Sequence, residues 1–231
     1  MTNTWEQRKL EKLAVFSKGQ GYSKGDLTEI GDEIILYGRL YTKYETVINT
    51  VDTFTNKKSK SILSKGMEVI VPASGETPNE ISRASVVDRP GIILGGDLNI
   101  IHPNENINSE FLALTLSNGQ QQRELARRAQ GKSVVHLRTS DLKKVNFLYP
   151  SIWEQQKISK LIVKFENLIT LHQRIAKMLV NLTQSGQRSH DNINIFIFQF
   201  LNNMKIGFLS GRHAGMSQSS SHTSNRNTSK K

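Results

Sequence analysis

The 231-residue sequence predicts an α+β fold in three regions: a mixed-sheet domain at 1–150, one long coiled-coil-type helix at 151–184, and an atypical, largely disordered tail at 185–231. Three observations predict this division. Short apolar runs alternate with turn residues through the first region, as in mixed α and β segments. Apolar residues then recur at steps of three and four, which is helical spacing. The last region becomes rich in Ser and Asn without periodicity, which is typical of disorder.

Six apolar runs in the first region are predicted strands. Consecutive Ile or Val residues in several of them indicate burial on both faces of a sheet. The predicted strands are Glu33–Tyr37, Met67–Val71, Gly91–Leu94, Asn99–His102, Val134–Arg138 and Val145–Tyr149.

Three helices are predicted in the same region from their apolar spacing and end signals. The first is Trp5–Val15. The second is Ser109–Ser117 with Ser109 as its N-cap, and the third is Gln120–Gln130, closed by Gly131.

The second region contains no glycine between Pro150 and Gly186 and predicts one helix of roughly 45 Å. Its apolar seam predicts pairing with another long helix, most simply that of a second copy. The one polar seam residue, His172, can fix the register of such a pair. The alternatives are a helix that lies on its own domain, and a histidine in water at the seam's edge. The seam consists of Ile158, Leu161, Phe165, Leu168, His172, Ile175, Leu179 and Leu182.

The tail contains one apolar, β-prone segment at 193–200, INIFIFQF. A strand, a short helix beneath the domain and an exposed aggregation-prone segment all fit it. The sequence leaves these three alternatives open.

Composition excludes several classes of protein. The chain has no cysteine, which excludes disulfides, thiolate zinc sites and a cysteine nucleophile. It has no run of 18 apolar residues and no apolar signal region after Arg8, so neither a spanning helix nor secretion by that route is expected. We therefore expect a cytoplasmic protein without a membrane partner.

The positive charge is concentrated locally. The chain carries 31 Lys and Arg against 20 Asp and Glu, a net charge of +11. The segment Gln121–Lys144 holds seven cations but only two carboxylates, and such a focused patch suits a polyanion. The alternative is a solvated helix face.

No motif predicts catalysis or a cofactor in this chain. Gly131-Lys132-Ser133 lacks the earlier glycine of a phosphate loop, because position 126 is alanine. Gly19-Gln20-Gly21 lacks the third glycine of a dinucleotide-binding turn, and the six histidines are too scattered for a metal cluster. No methyltransferase or nuclease motif is present, so we expect no catalytic residue, no metal and no cofactor.

Polar and aromatic loops predict contact with nucleic acid. Phe16–Lys24 and Tyr37–Tyr44 interleave cations, amides and tyrosines with glycine, and these side chains can reach bases and phosphates. The alternative for each tyrosine is a half-buried residue of the sheet. The candidate contact residues are Lys18, Gln20, Tyr22, Lys24, Arg39, Tyr41, Lys43, Tyr44, Ser74, Arg123, Arg127, Arg128 and Lys132.

The sequence resembles the specificity subunit of type I restriction–modification systems over about residues 4–182. The ordered combination of short motifs carries the resemblance. These motifs are the Trp5–Leu10 opening, the Phe16–Lys24 loop, Ile34–Tyr44, Val69–Thr77, Gly95–Asn99, Gly131, His136-Leu137, Leu142-Lys143, Pro150, Glu154-Gln155 and Ile158.

The resemblance implies a non-catalytic subunit that recognises double-stranded DNA and assembles with methyltransferase subunits and a restriction subunit containing the motor and nuclease. S-adenosylmethionine and ATP with Mg²⁺ are then expected only in those partners. Members usually carry two recognition domains separated by two paired helices. One domain and one helix here imply a half-subunit or truncated form, acting as a homodimer or with a second half-subunit. The alternatives are an interaction or inhibitor protein that no longer binds DNA, and the recognition lobe of a split methyltransferase.

Overall fold

The computed structural model describes residues 5–131 and 134–184. Contacts divide the chain into two units, Met1–Ile169 and Thr170–Lys231, and the described part of the second is the end of the long helix. The described helices are α1 Arg39–Thr42, α2 Pro78–Ile81, α3 Ser109–Ser117, α4 Gly119–Arg128, α5 Thr139–Lys143 and α6 Ile152–Gln184. The described strands are β1 Glu6–Lys9, β2 Ala14–Lys18, β3 Leu27–Thr28, β4 Asp32–Ile35, β5 Val47–Ile48, β6 Phe54–Thr55, β7 Leu63–Lys65, β8 Glu68–Pro72, β9 Ser74–Gly75, β10 Ser85–Val87, β11 Pro90–Leu94, β12 Leu98–Pro103, β13 Val135–His136 and β14 Asn146–Tyr149.

Two five-stranded sheets form the body of the domain. The first has the order β2-β12-β8-β10-β5, and only its β10–β5 pair is parallel. The second has the order β3-β6-β4-β11-β7, and only its β11–β4 pair is parallel. Both sheets are therefore mixed, which confirms the predicted fold class.

The sheets are stacked, because alternate residues of their central strands enter different apolar clusters. Ile35 of the second sheet and Ile70 of the first share one cluster, which fills the space between the sheets. Val69 belongs to a cluster that the helices cover, whereas Ile34 belongs to a small cluster with Tyr22. Adjacent strand residues point to opposite faces, so the Ile and Val runs are buried on both sides as predicted.

The predicted helix Trp5–Val15 is wrong. This segment forms β1, a 3-10 turn at Leu10–Lys12, and β2. β1 pairs with β14 near the end of the domain, and β2 pairs with β12. Leu10 and Leu13 are buried as a helix would have buried them, but the strand pairing with distant segments overrides the local helical spacing.

Helices α3 and α4 confirm two predictions and correct their ends. The N-cap of α3 is Asn108, whose side chain accepts a hydrogen bond from Phe111 N at 2.8 Å, so Ser109 is the first helical residue. Helix α4 ends at Arg128. Gly131 has φ +144° and lies where a Cβ would meet the Val134 carbonyl oxygen at 1.8 Å, so it shapes the turn after the helix.

The observed strands also differ from the predicted ones at their ends. Met67 has φ +65°, which delays the start of β8 to Glu68. Strand β4 ends at Ile35, so Tyr37 lies in the turn that leads to α1. The predicted strand Val134–Arg138 shortens to β13, because Arg138 is the N-cap of the unpredicted helix α5.

The long helix α6 confirms the prediction at 151–184 and contains 33 residues. Its first turns are fixed to the domain by the buried Gln155. The Gln155 Oε1 accepts from Asn108 N at 2.9 Å, and its Nε2 donates to the Asn106 and Pro150 carbonyl oxygens at 2.9 Å. These bonds use both amide hydrogens and the amide oxygen of Gln155, so they fix the first turns of the helix to the domain.

The start of the seam is part of the domain. Ile158 is half-buried against the helix-covered cluster, so it anchors the helix instead of offering a free pairing surface. Leu161 and Phe165 are each 56% exposed, so these two seam residues are not buried against the domain.

Three predictions fall on residues outside the described parts of the chain: the disordered tail at 185–231, its apolar segment at 193–200, and the contact residue Lys132. Among the described residues, none of the helices combines the length and apolar character that a membrane crossing requires.

Candidate nucleic-acid interface

The loop after β2 is built on a close approach between two backbone segments. Gly19 N donates to the Leu98 carbonyl at 3.0 Å, and Gln20 N donates to the Leu94 carbonyl at 3.1 Å. A Cβ on Gly19 would lie 1.9 Å from the Gly95 carbonyl oxygen, so only glycine fits there. The backbone under Gln20 is thus fixed while its side chain is exposed, a geometry suited to reading a ligand.

Tyr22 is a structural residue of this loop. It is buried beside Ile34 and Ile93. Its phenolic oxygen lies 2.5 Å from Ser61 Oγ and accepts from Lys58 N at 2.8 Å. Tyr22 is therefore an internal residue, as the alternative expects, but it is buried, not half-buried, and lies in the loop between β2 and β3 instead of in a strand.

A salt bridge ties the loop to the segment between β6 and β7. Lys58 Nζ lies 2.6 Å from Asp26 Oδ1 and 4.5 Å from the centre of the Tyr22 ring. The hydrogen bond from Lys58, followed by those from Ser23 N and Oγ, lowers the pKa of Asp26 from 3.8 to about 2. The bridge is exposed, so its contribution to stability is modest.

We expect the Asp26 pKa to report on this bridge. A depressed pKa stabilises the folded loop above the ordinary carboxyl value of 3.8, and that contribution disappears as the pH falls towards 2. Replacing Lys58 by Met should raise the Asp26 pKa towards 3.8, measured by carboxyl-carbon NMR titration. An unchanged low pKa in Lys58→Met would show that the Ser23 bonds alone hold the carboxylate ionised.

The cationic side chains around α1 form ion pairs with carboxylates of the same domain. Arg39 is 8% exposed, and its guanidinium bonds Asp52 at 2.7 Å, Glu45 at 2.7 Å and the Thr50 carbonyl at 2.8 Å. Because these partners already bond the guanidinium, the structure does not support the predicted contact between Arg39 and bases. Lys43 is exposed but pairs with Asp52 at 2.7 Å, which weakens its availability to a phosphate.

Three further candidate residues form contacts within the domain: Tyr41, Tyr44 and Ser74. The Tyr41 hydroxyl donates to the Ser74 carbonyl at 2.5 Å, and burial raises the pKa of Tyr41. The Tyr44 hydroxyl donates to the Ala84 carbonyl at 3.2 Å. Ser74 is buried where β9 pairs with β13. Both tyrosines are half-buried, as the alternative expects, but Tyr41 lies in α1 and Tyr44 follows that helix, so neither belongs to a sheet.

Helix α4 exposes part of the predicted basic patch. Its Leu125 is buried in the helix-covered cluster, whereas Arg123 and Arg127 are exposed. Arg128 is half-buried and pairs with Glu124 at 2.7 Å, so its charge is balanced within the helix. Two of the three arginines of α4 therefore remain available to a polyanion.

The structure sorts the predicted contact residues into two groups. The loop after β2 and helix α4 lie on different layers of the domain, because Tyr22 and Leu125 belong to different clusters. The exposed predicted residues are Lys18, Gln20, Lys24, Lys43, Arg123 and Arg127. Those with mainly internal partners are Tyr22, Arg39, Tyr41, Tyr44, Ser74 and Arg128.

Sequence reasoning missed one cationic segment. Lys57, Lys58 and Lys60 occur within four residues, and a lysine run between two short strands could have signalled it. Within the described residues, no group of three His, Cys, Asp or Glu side chains is placed to hold a metal ion.

Residues 2–180 match the family described as "Type I restriction modification DNA specificity domain". The chain belongs to this family. No curated protein matches the chain.

Solved structures of type I specificity proteins share the fold at low identity. One is the type I restriction-modification S subunit from M. genitalium, with a TM-score of 0.56 and 16% identity, covering 80% of this chain and 45% of that one. A chain from a study of complex assembly and conformational transition of the type I R-M system gives 0.56 and 14%, covering 78% and 43%. The HsdS subunit from Thermoanaerobacter tengcongensis gives 0.53 and 14%, covering 76% and 40%. This specificity-domain chain spans less than half the length of each.

Proposed function

We propose that this chain is a sequence-specific DNA recognition subunit that directs adenine methylation and restriction by partner subunits. Family membership supports the DNA role. The observation that carries the proposal is the loop after β2, where the contact of Gly19 with Gly95 fixes the backbone beneath an exposed amide and two exposed lysines. A rigid loop loses little conformational entropy on binding, which favours specific readout.

The exposed side chains divide by chemistry into two roles. The Gln20 amide can form two hydrogen bonds with an adenine edge, so we assign it base reading. Lys18, Lys24, Arg123 and Arg127 carry positive charge without a described carboxylate partner, so we assign them phosphate contacts. Catalysis, S-adenosylmethionine and ATP with Mg²⁺ are assigned to the methyltransferase and restriction subunits.

Duplex binding with single-residue variants tests this division. We expect Arg127→Ala to weaken binding to all sequences alike and to lower the slope of log affinity against log salt by about one. Gln20→Ala should instead reduce preference for the target by roughly 1–3 kcal/mol. Lys157→Ala removes an exposed charge from α6 and serves as the control. Equal behaviour of Arg127→Ala and Lys157→Ala would contradict a DNA contact by α4.

We also propose that helix α6 pairs with a second long helix, most simply that of another copy. Leu161, Ile162, Phe165 and Ile169 are exposed apolar residues of the first unit, and the heptad spacing continues to Leu182. A two-fold pair of such chains would recognise a palindromic split site. The same helices would dock the methyltransferase subunits.

A further inference from the structure

The segment between β6 and β7 is a surface loop with concentrated positive charge. Residues 56–62, NKKSKSI, contain three lysines and no carboxylate. The loop joins two strands of the second sheet, on the layer that also holds Tyr22. These lysines belong neither to the loop after β2 nor to helix α4, which carry the proposed DNA contacts.

One of the three lysines, Lys58, forms its contacts within the domain. Lys58 Nζ bonds Asp26 Oδ1 at 2.6 Å and the Gly21 carbonyl at 3.4 Å, and it lies over the Tyr22 ring. All three partners belong to the loop after β2. Lys58 therefore fastens the lysine loop to the loop that carries Gln20, and its charge is balanced by Asp26.

The buried Tyr22 phenol fixes the backbone of the lysine loop. It accepts from Lys58 N at 2.8 Å and lies 2.5 Å from Ser61 Oγ. Ser61 Oγ donates to the Lys58 carbonyl at 2.7 Å, which closes the turn from 58 to 61. The segment is consequently held at both ends of this turn by a side chain that is itself in the core.

The side chains of the remaining two lysines take part in none of these bonds. Lys57 and Lys60 are exposed, and no described carboxylate lies within ion-pair distance of either. Lys24 is exposed in the loop that Lys58 fastens. Three ammonium groups without a described carboxylate partner thus stand on two loops that Lys58 connects, and one of these loops carries Gln20.

We propose that Lys57 and Lys60, together with Lys24, bind the phosphate backbone of the DNA whose bases the adjacent loop reads. This inference rests on the proposed function and deepens it, since it names a phosphate-contacting surface distinct from helix α4. Lysine binds phosphate as a point charge, and neutralised phosphates release counterions. A loop that is fixed before binding loses little conformational entropy when it presents these charges. Its contacts with the DNA phosphates would hold the DNA in position for the base contact made by the adjacent loop.

The test measures duplex affinity of the full chain against salt concentration. The double variant Lys57→Ala/Lys60→Ala should lower the slope of log affinity against log salt by about 1.8, because each lost phosphate contact in B-DNA removes about 0.9. Its preference among duplex sequences should not change. The control Lys157→Ala/Lys160→Ala removes the same charge from exposed positions of α6 and should leave the slope unchanged.

A conservative variant guards against a folding defect. Lys57→Arg/Lys60→Arg keeps both charges and should retain the wild-type slope. Wild-type binding with an unchanged slope in Lys57→Ala/Lys60→Ala would overturn the loop assignment and leave the proposed function standing. Equal slope losses in this variant and in the α6 control would also overturn it, as a general charge effect. Absence of duplex binding by the wild type would overturn both.

Discussion

Phe165→Asp should separate paired copies of the chain. Phe165 is 56% exposed on α6, and pairing would bury its ring against the partner helix. Burial of a phenylalanine contributes about 1.5–3 kcal/mol, and a symmetric pair loses it twice, so the dissociation constant should rise about a hundredfold or more. A carboxylate left unpaired in the seam adds to this loss. Sedimentation equilibrium of both proteins over a range of concentrations measures the effect.

The matched control is Asn167→Asp, which adds the same carboxylate at an exposed position off the seam. It should keep the wild-type association. Thermal unfolding of Phe165→Asp should remain cooperative, because the ring does not belong to the domain core. A wild-type chain that stays monomeric throughout would contradict pairing between copies.

Gly19→Ala should displace the loop that carries Gln20. The new Cβ would lie 1.9 Å from the Gly95 carbonyl oxygen and 2.8 Å from the Leu94 carbonyl oxygen, and both are backbone atoms of buried residues at the end of β11. Overpacking of this kind costs about 1–3 kcal/mol of unfolding free energy. We also expect loss of sequence preference, with non-specific binding by α4 retained.

The same loop supplies the control. In Gly25→Ala the added Cβ meets only Ser23 Oγ at 3.6 Å, an ordinary contact, so stability and preference should match the wild type. Urea unfolding and competition between duplexes give the two quantities. Wild-type behaviour of Gly19→Ala would mean that the close backbone approach does not position the loop.

The sequence predicts the parts of the fold that repeat a local pattern. The Ile and Val runs of β8, β11 and β12 indicate burial on both faces, and the stacked sheets provide it. The seam of α6 predicts a long helix, because its apolar spacing continues for seven steps.

Local sequence patterns could not predict the pairing of strands that are distant in the sequence. β1 becomes a strand because β14, about 140 residues later, offers it a partner, whereas Leu10 and Leu13 alone suit a helix. Gln155 gave no periodic signal, since its role depends on the loop at Asn106 and Asn108.

The sequence predicted the residue types of the candidate site, but not which of their side chains are exposed to a ligand. The pattern of glycine and polar residues indicated the loop after β2 as a candidate site. The same kind of pattern also selected Tyr22 and Arg39, whose polar atoms form hydrogen bonds within the domain. Residue type cannot separate a cation that faces a ligand from one that meets Asp52 or Glu45 across a turn. The lysine loop was missed because its relation to Gln20 depends on the bridge from Lys58 to Asp26.

Mapping adenine methylation most directly tests the claim that this chain selects DNA sites. The cognate methyltransferase subunits, S-adenosylmethionine and genomic DNA would be incubated with wild-type chain, with Gly19→Ala, or without the chain, and methylated adenines located by sequencing. We expect methylation at one discrete recognition sequence with the wild type, its loss in both other reactions, and no methyl transfer by the chain alone. The same methylated sites with and without the chain, or transfer by the isolated chain, would contradict this claim.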